Sequence, residues 1–166
     1  MIFATVGTHE QGLDRLLIEL DRLIEQNIIT EEVFAQIGYS EYKPKNYKYE
    51  EMIGYDEMDS YVRKASIVIT HGGPGSIFHP LQYGKIPVVV PRNPKYKEHV
   101  DNHQILFTKR LEQNNRVLAI YDVQNLGCII NDYKNLVKNF GVYEGGNKKF
   151  IVRFSNLICE VLKTKS

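Results

Sequence analysis

Hydrophobic and polar positions fall into blocks of two different periods along the chain. Ile2 to Val6 is a short apolar run, rich in β-branched residues and stopped by Gly7. It reads as a strand buried on both faces. Leu13, Leu16, Leu17, Leu20, Leu23 and Ile24 then recur at intervals of three and four, with charged residues between them. That spacing predicts an amphipathic helix. Val33 to Ile37, closed by Gly38, predicts a second strand. A third, short one falls around Tyr49 to Tyr55, and a helix from about Glu57 to Lys64. Ile67 to Thr70 predicts a central strand, followed at once by a helix that ends at Tyr83-Gly84. Pro87 to Val90 and Val117 to Ile120 predict two more strands, with a helix from about His99 to Glu112 between them. Helices are expected near Val123 to Phe140 and, from the stripe Phe150, Ile151, Phe154, Leu157, Ile158, Val161 and Leu162, at the C-terminal end. Apolar strands alternating with helices predict an α/β, doubly wound, mostly parallel Rossmann-like sheet. The expectation is one domain over 1–166.

Composition narrows the class of function. Lys plus Arg is 21 and Asp plus Glu is 20, a formal net charge of +1. Bulk attraction to nucleic acid or anionic lipid is therefore not the expected function. Charged residues at 25% and apolar ones at 43% exclude a disordered chain. Cys128 and Cys159 form no zinc-ligand spacing and are expected as small apolar thiols within helices. The opening residues lack a basic region and a long apolar stretch, so no signal peptide or membrane span is expected. This predicts a soluble, cytoplasmic chain.

Ligands of open parallel sheets bind beyond the carboxyl ends of the strands. Three segments with unusual glycine or polar content lie there: Gly7-Thr8-His9-Glu10-Gln11-Gly12, His71-Gly72-Gly73-Pro74-Gly75-Ser76, and Arg92 to Gln104. In the middle segment, three glycines at a strand-to-helix turn let backbone approach a ligand, and the helix start offers free N–H groups to an anion. Pro74 suits a first-turn position. The bland alternative is a tight turn with no ligand. The segment is not a dinucleotide fingerprint, since Phe78 stands where the third glycine belongs, nor a P-loop. No Gly-x-Ser-x-Gly occurs in the chain.

In the third segment Asn102, His103 and Gln104 bring neutral donors and acceptors to a helix start, which suits hydroxyl-rich ligands. Simple capping by Asp101 or Asn102 is the alternative. Arg92, Lys95 and Lys97 either neutralise a diphosphate or form a solvated loop. His9 and Glu10 are candidates for a general-base pair, against a structural or surface histidine.

The segments THGGPGSIFHPLQYGKIPVVVPR and EHVDNHQ resemble the C-terminal half of glycosyltransferases with the GT-B fold. The likeness is to the group containing the bacterial lipid II-forming N-acetylglucosaminyltransferase, and most to its split members. In those, a short soluble chain binds the nucleotide sugar and a membrane-attached chain binds the acceptor. ATVGTHEQGLDRLL resembles the start of the bacterial soluble subunits. The resemblance spans Ile2 to about Leu111. It implies that Gly7 and Thr8 approach the diphosphate, and that His71, Gly72, Gly73 and Gly75 form the loop and helix start beneath it. It further implies that His103 and Gln104 contact donor-sugar hydroxyls, with Asn102 beside them. The family's ribose-holding acid on the glycine-rich helix falls on His79 here, a departure. A UDP-sugar as substrate, inversion at the anomeric carbon, no metal and no cofactor are implied. No Asp-x-Asp is present.

The implied partner is a membrane-anchored, acceptor-binding subunit. It would supply the polyprenyl-diphosphate-linked acceptor and hold this chain at the inner membrane face. Tyr39, Tyr42, Tyr47, Tyr49, Tyr55 and Tyr61, interleaved with Lys43, Lys45 and Lys48, read as a partner surface or a solvated loop. The C-terminal stripe, flanked by Lys148, Lys149, Arg153, Lys163 and Lys165, reads as core packing or partner docking. The expected role is a galactosyl- or N-acetylglucosaminyltransferase subunit in bacterial capsule or exopolysaccharide synthesis. The alternatives are a non-enzymatic enhancer of a partner glycosyltransferase and a nucleotide-sugar epimerase.

Overall fold

The computed structural model describes residues 1–140. The predicted C-terminal helix, with its stripe and lysines, and Cys159 lie outside the described residues. In chain order the elements are β1 (Ile2–Thr5), α1 (Asp14–Glu25), β2 (Val33–Gln36), β3 (Lys48–Glu50), α2 (Tyr55–Lys64), β4 (Ile67–Thr70), α3 (Pro74–Gln82), β5 (Val88–Val89), α4 (His103–Gln113), β6 (Leu118–Ala119) and α5 (Leu126–Leu136). The strands form one sheet in the order β3-β2-β1-β4-β5-β6. Every pairing is parallel. This is the doubly wound order, whose connections reverse direction between β1 and β4.

Strands β1, β2 and β4 are buried along their whole lengths because helices cover both faces. Side chains alternate across the sheet. Ile2 and Ala4 join one cluster with Leu16, Leu17, Leu20 and Leu23 of α1. Phe3 joins the other with Val62 and Ala65 at the end of α2. Each buried leucine of α1 contributes roughly 1.5–3 kcal/mol by leaving water. Tyr61 of α2 stacks on Phe34 at 4.0 Å and on Phe3 at 5.3 Å, which fixes α2 against the sheet. Lys85 donates to the carbonyls of Val62, Arg63 and Ala65 and so ties off the end of α2.

Several boundaries differ from the sequence reading. The helix expected from His99 starts at His103. A short turn at Pro94–Tyr96 ends in a left-handed Lys97 (φ 59°), and the chain reaches α4 only after a further loop. Cys128 lies in α5 as expected but is exposed, so it does not pack as an apolar thiol. Most of the tyrosine-rich stretch turns inward. Asp21, buried on α1, accepts from Tyr42 Oη at 2.7 Å and from the N–H groups of Lys45 and Asn46 at 2.8 Å. Tyr47 donates to Leu17 O. Tyr39 and Tyr55 remain exposed. The partner-surface reading therefore shrinks to those two rings. None of the described helices is long and apolar enough to cross a membrane.

Candidate functional site

The carboxyl ends of β1 and β4 lie side by side, so the loops that follow them share one crevice. The β1 loop is held by Gln36, buried at the end of β2. Its side chain accepts from Thr5 Oγ1 at 2.6 Å and from the Gly7 N–H, and donates to the Gly7 and Glu51 carbonyls. Sequence reading passed over Gln36. A lone polar side chain closing an apolar strand was the signal available.

His71 leaves β4 and folds back into the crevice. Its Nδ1 accepts from the Gly73 N–H at 3.1 Å, and its Nε2 lies 3.0 Å from Ser76 Oγ. The first bond leaves Nε2 as the protonated nitrogen and the donor to Ser76. The imidazole fills the space that two glycines leave. A Cβ at Gly73 would lie 2.2 Å from His71 Cε1, and one at Gly7 2.4 Å from Nε2. Gly7 also has φ +75°, a conformation that favours glycine. At Gly72 a Cβ would meet the Gln104 side chain at 2.7 Å. Three of the four glycines thus make room for the protein's own His71 and Gln104. Gly75 differs, with open space where a Cβ would stand.

Gly75, Pro74 and Ser76 border a cavity of about 500 Å³, also lined by Tyr55, His79 and Gln82. Pro74 sits in the first turn of α3 as expected, and no side chain caps that helix. Its first N–H groups are therefore available to an anion at the cavity.

Burial lowers the His71 pKa to about 4, and the positive charge of Arg92 adds to the effect. The sign follows from proton uptake. Unfolded His71 binds a proton below about 6.5 while the native imidazole refuses it. Stability contributed by neutral His71 is complete above pH 6.5 and is lost as pH falls toward 4, on the order of 3 kcal/mol in all. Denaturant midpoints across that window should flatten in His71→Asn. An unchanged slope would remove His71 as the cause.

Arg92 requires a correction. It was expected among ligand contacts or in a solvated loop, yet it is completely buried. Its guanidinium donates to the carbonyls of Val6 (2.7 Å), Gly12 (2.9 Å), Glu98 (3.2 Å) and Gln11. These bonds lash the β1 loop to the β5 loop. Arg92 is thus a tie between loops, and its charge is felt at His71.

The third segment is brought to the same crevice. Gln104 Oε1 accepts from the Arg92 backbone N–H at 3.2 Å while its Cβ region packs on Gly72. Asn102 and His103 are exposed at the rim. The helix start is capped by Asp101, whose Oδ1 accepts from the His103 N–H at 2.9 Å and whose Oδ2 lies 2.8 Å from His103 Nδ1. Asn102 makes no capping bond.

Thr8 and Glu10 are exposed. His9 and Glu10 do not form the expected pair: His9 Nδ1 accepts from the Gln11 N–H, and its ring packs against His99 at 5.0 Å. Glu10 instead borders a second cavity of about 650 Å³, with Tyr39 and Tyr96. Among the described residues no cluster of His, Cys, Asp or Glu has the arrangement to hold a metal.

A doubly wound sheet with an uncapped helix start beside its switch point defines an α/β, Rossmann-like architecture. Residues 1–136 match the glycosyltransferase family 28 C-terminal domain, and the chain belongs to that family. A curated relative, the UDP-N-acetylglucosamine transferase subunit ALG13 of Yarrowia lipolytica, is 34% identical over 74 residues. That stretch is 45% of this chain and 36% of the relative. Among solved structures, the calicheamicin glycosyltransferase CalG4 superposes with a TM-score of 0.58 at 16% identity, over 86% of this chain and 35% of that one. Acinetobacter baumannii MurG gives 0.56 at 19% identity, over 81% of this chain and 41% of MurG. The fold is shared with these glycosyltransferases, and the chain spans well under half the length of each.

Proposed function

We propose that this chain is the donor-binding subunit of an inverting UDP-sugar glycosyltransferase whose acceptor-binding half is a separate, membrane-associated chain. The observation that carries the reading is the cavity at the open start of α3, bordered by Gly75, Ser76 and His79. The diphosphate would meet the free N–H groups of α3 and Ser76 Oγ, with the field of Arg92 behind it. His103, Asn102 and Gln104 would face the sugar hydroxyls across the crevice, and Thr8 the diphosphate from the β1 loop. In the reaction an acceptor hydroxyl oxygen bonds to the anomeric carbon. The bond from that carbon to the UDP oxygen breaks, and its electron pair leaves with UDP. The acceptor's proton passes to a base. With His9 and Glu10 unpaired, we assign that base to the partner chain. Galactose or N-acetylglucosamine is the proposed donor sugar. A polyprenyl-diphosphate-linked sugar is the proposed acceptor, in bacterial capsule or exopolysaccharide synthesis at the inner membrane face.

The test is reconstitution. Membranes holding this chain together with its candidate partner should transfer sugar from UDP-galactose or UDP-N-acetylglucosamine to a polyprenyl-diphosphate-linked acceptor. Membranes holding either chain alone should not. Reduced but measurable transfer by the partner alone would make this chain a non-catalytic enhancer, and undiminished transfer would remove it from the reaction.

A further inference from the structure

Asp59 lies on α2, outside every motif of the crevice, yet it reaches the cavity wall through another residue. Its Oδ1 lies 2.8 Å from His79 Nε2 and accepts from Tyr83 Oη at 2.6 Å. Its Oδ2 accepts from Arg63 Nε at 2.7 Å. Both carboxylate oxygens are thus occupied, so the group is fixed in rotation. The bonds from Tyr83 and His79 hold its pKa down at about 2, so Asp59 is ionised and can only accept. Nε2 of His79 must therefore carry the proton. Nδ1 is the ring nitrogen left without a partner among the described residues.

His79 lines the cavity, and the ring of Tyr55 lies parallel to it, 5.8 Å away with an interplanar angle of 1°. Ser76 and His79 are three residues apart on α3, which is roughly 5 Å along the helix axis. That is the scale separating the phosphate of a nucleotide from its ribose hydroxyls. An anion at Ser76 therefore puts a diol beside His79.

We propose that Asp59 is a positioning residue for the ribose of the donor nucleotide: it fixes the His79 ring by Nε2 so that Nδ1 meets a ribose hydroxyl. This rests on the donor-binding reading above. An imidazole backed by a carboxylate from the neighbouring helix does here what a carboxylate on α3 itself would do by direct contact. Arg63 and Tyr83 hold Asp59 in place but touch no ligand.

Calorimetry with the full chain, titrated with UDP and with 2′-deoxy-UDP, tests the proposal. The unmodified chain should bind UDP about fivefold or more tightly than the deoxy analogue. In His79→Ala the ratio should fall to about one. Asp59→Ala should lower it at least to half, and the double variant should go no lower than His79→Ala. Asp59→Asn, which keeps the size of the side chain, guards against misfolding, and melting curves check each variant. A ratio near one in the unmodified chain, or a full ratio in folded Asp59→Ala, would overturn the proposal and leave donor binding standing. Failure of the unmodified chain to bind either nucleotide would overturn both readings.

Discussion

Replacing Arg92 with alanine should lower the unfolding free energy by about 3 kcal/mol or more, the scale expected when a buried, hydrogen-bonded charge is removed and its partners are left unpaired. The guanidinium is fully buried and serves carbonyls of Val6, Gln11, Gly12 and Glu98. Those groups come from the loops after β1 and β5. Without the fork those buried carbonyls lose their donor. Arg92→Lys should recover less than half of the loss, because one ammonium cannot span carbonyls on both loops. Urea denaturation of the three proteins measures this directly. A loss below 1 kcal/mol in Arg92→Ala would mean that the loops hold together without it.

The second large effect is expected at Gly73. Its backbone (φ −75°, ψ 135°) suits any residue, so an alanine there brings no conformational strain. The cost is steric, because the new Cβ would stand 2.2 Å from His71 Cε1. His71 cannot swing away without breaking its bonds to the Gly73 N–H and Ser76 Oγ. Gly73→Ala should therefore weaken UDP binding by at least about tenfold and lower the melting temperature. In a His71→Ala background the same substitution should cost far less stability, since the clash is gone. A double-mutant cycle separates this account from a direct ligand contact at Gly73. Additive effects would indicate that Gly73 borders the ligand and not the imidazole.

How much of this was legible in the sequence depends on the kind of interaction. The strands were readable because apolar runs such as Ile67–Thr70 are buried on both faces, and their parallel pairing followed from strand-helix alternation. The three loops at the carboxyl rim were readable from glycine and polar content, and the structure brings all three together. What sits inside them was not. A sequence shows three glycines but not whether ligand or imidazole takes the vacated space, and here Gly73 and Gly72 answer to His71 and Gln104. Arg92 could be seen as a cation, but its burial depends on carbonyls 80 or more positions away. The start of α4 was misplaced because Glu98 and His99 look helical, while the left-handed Lys97 and the cap at Asp101 set the boundary. Asp59 was invisible for a similar reason. Its pairing with Arg63 looks like an ordinary ion pair at a four-residue spacing, and its contacts with His79 and Tyr83 exist only once α2 packs on α3.

In the proposed complex the open start of α3 receives the diphosphate of a UDP-sugar. Hydrogen exchange of the full chain with and without UDP tests this most directly. The amides of Gly75 to His79 should slow on adding UDP, with smaller slowing in the Thr8 loop and at His103 and Gln104. Saturating UDP that leaves Gly75 to His79 exchanging at their free rates would contradict it.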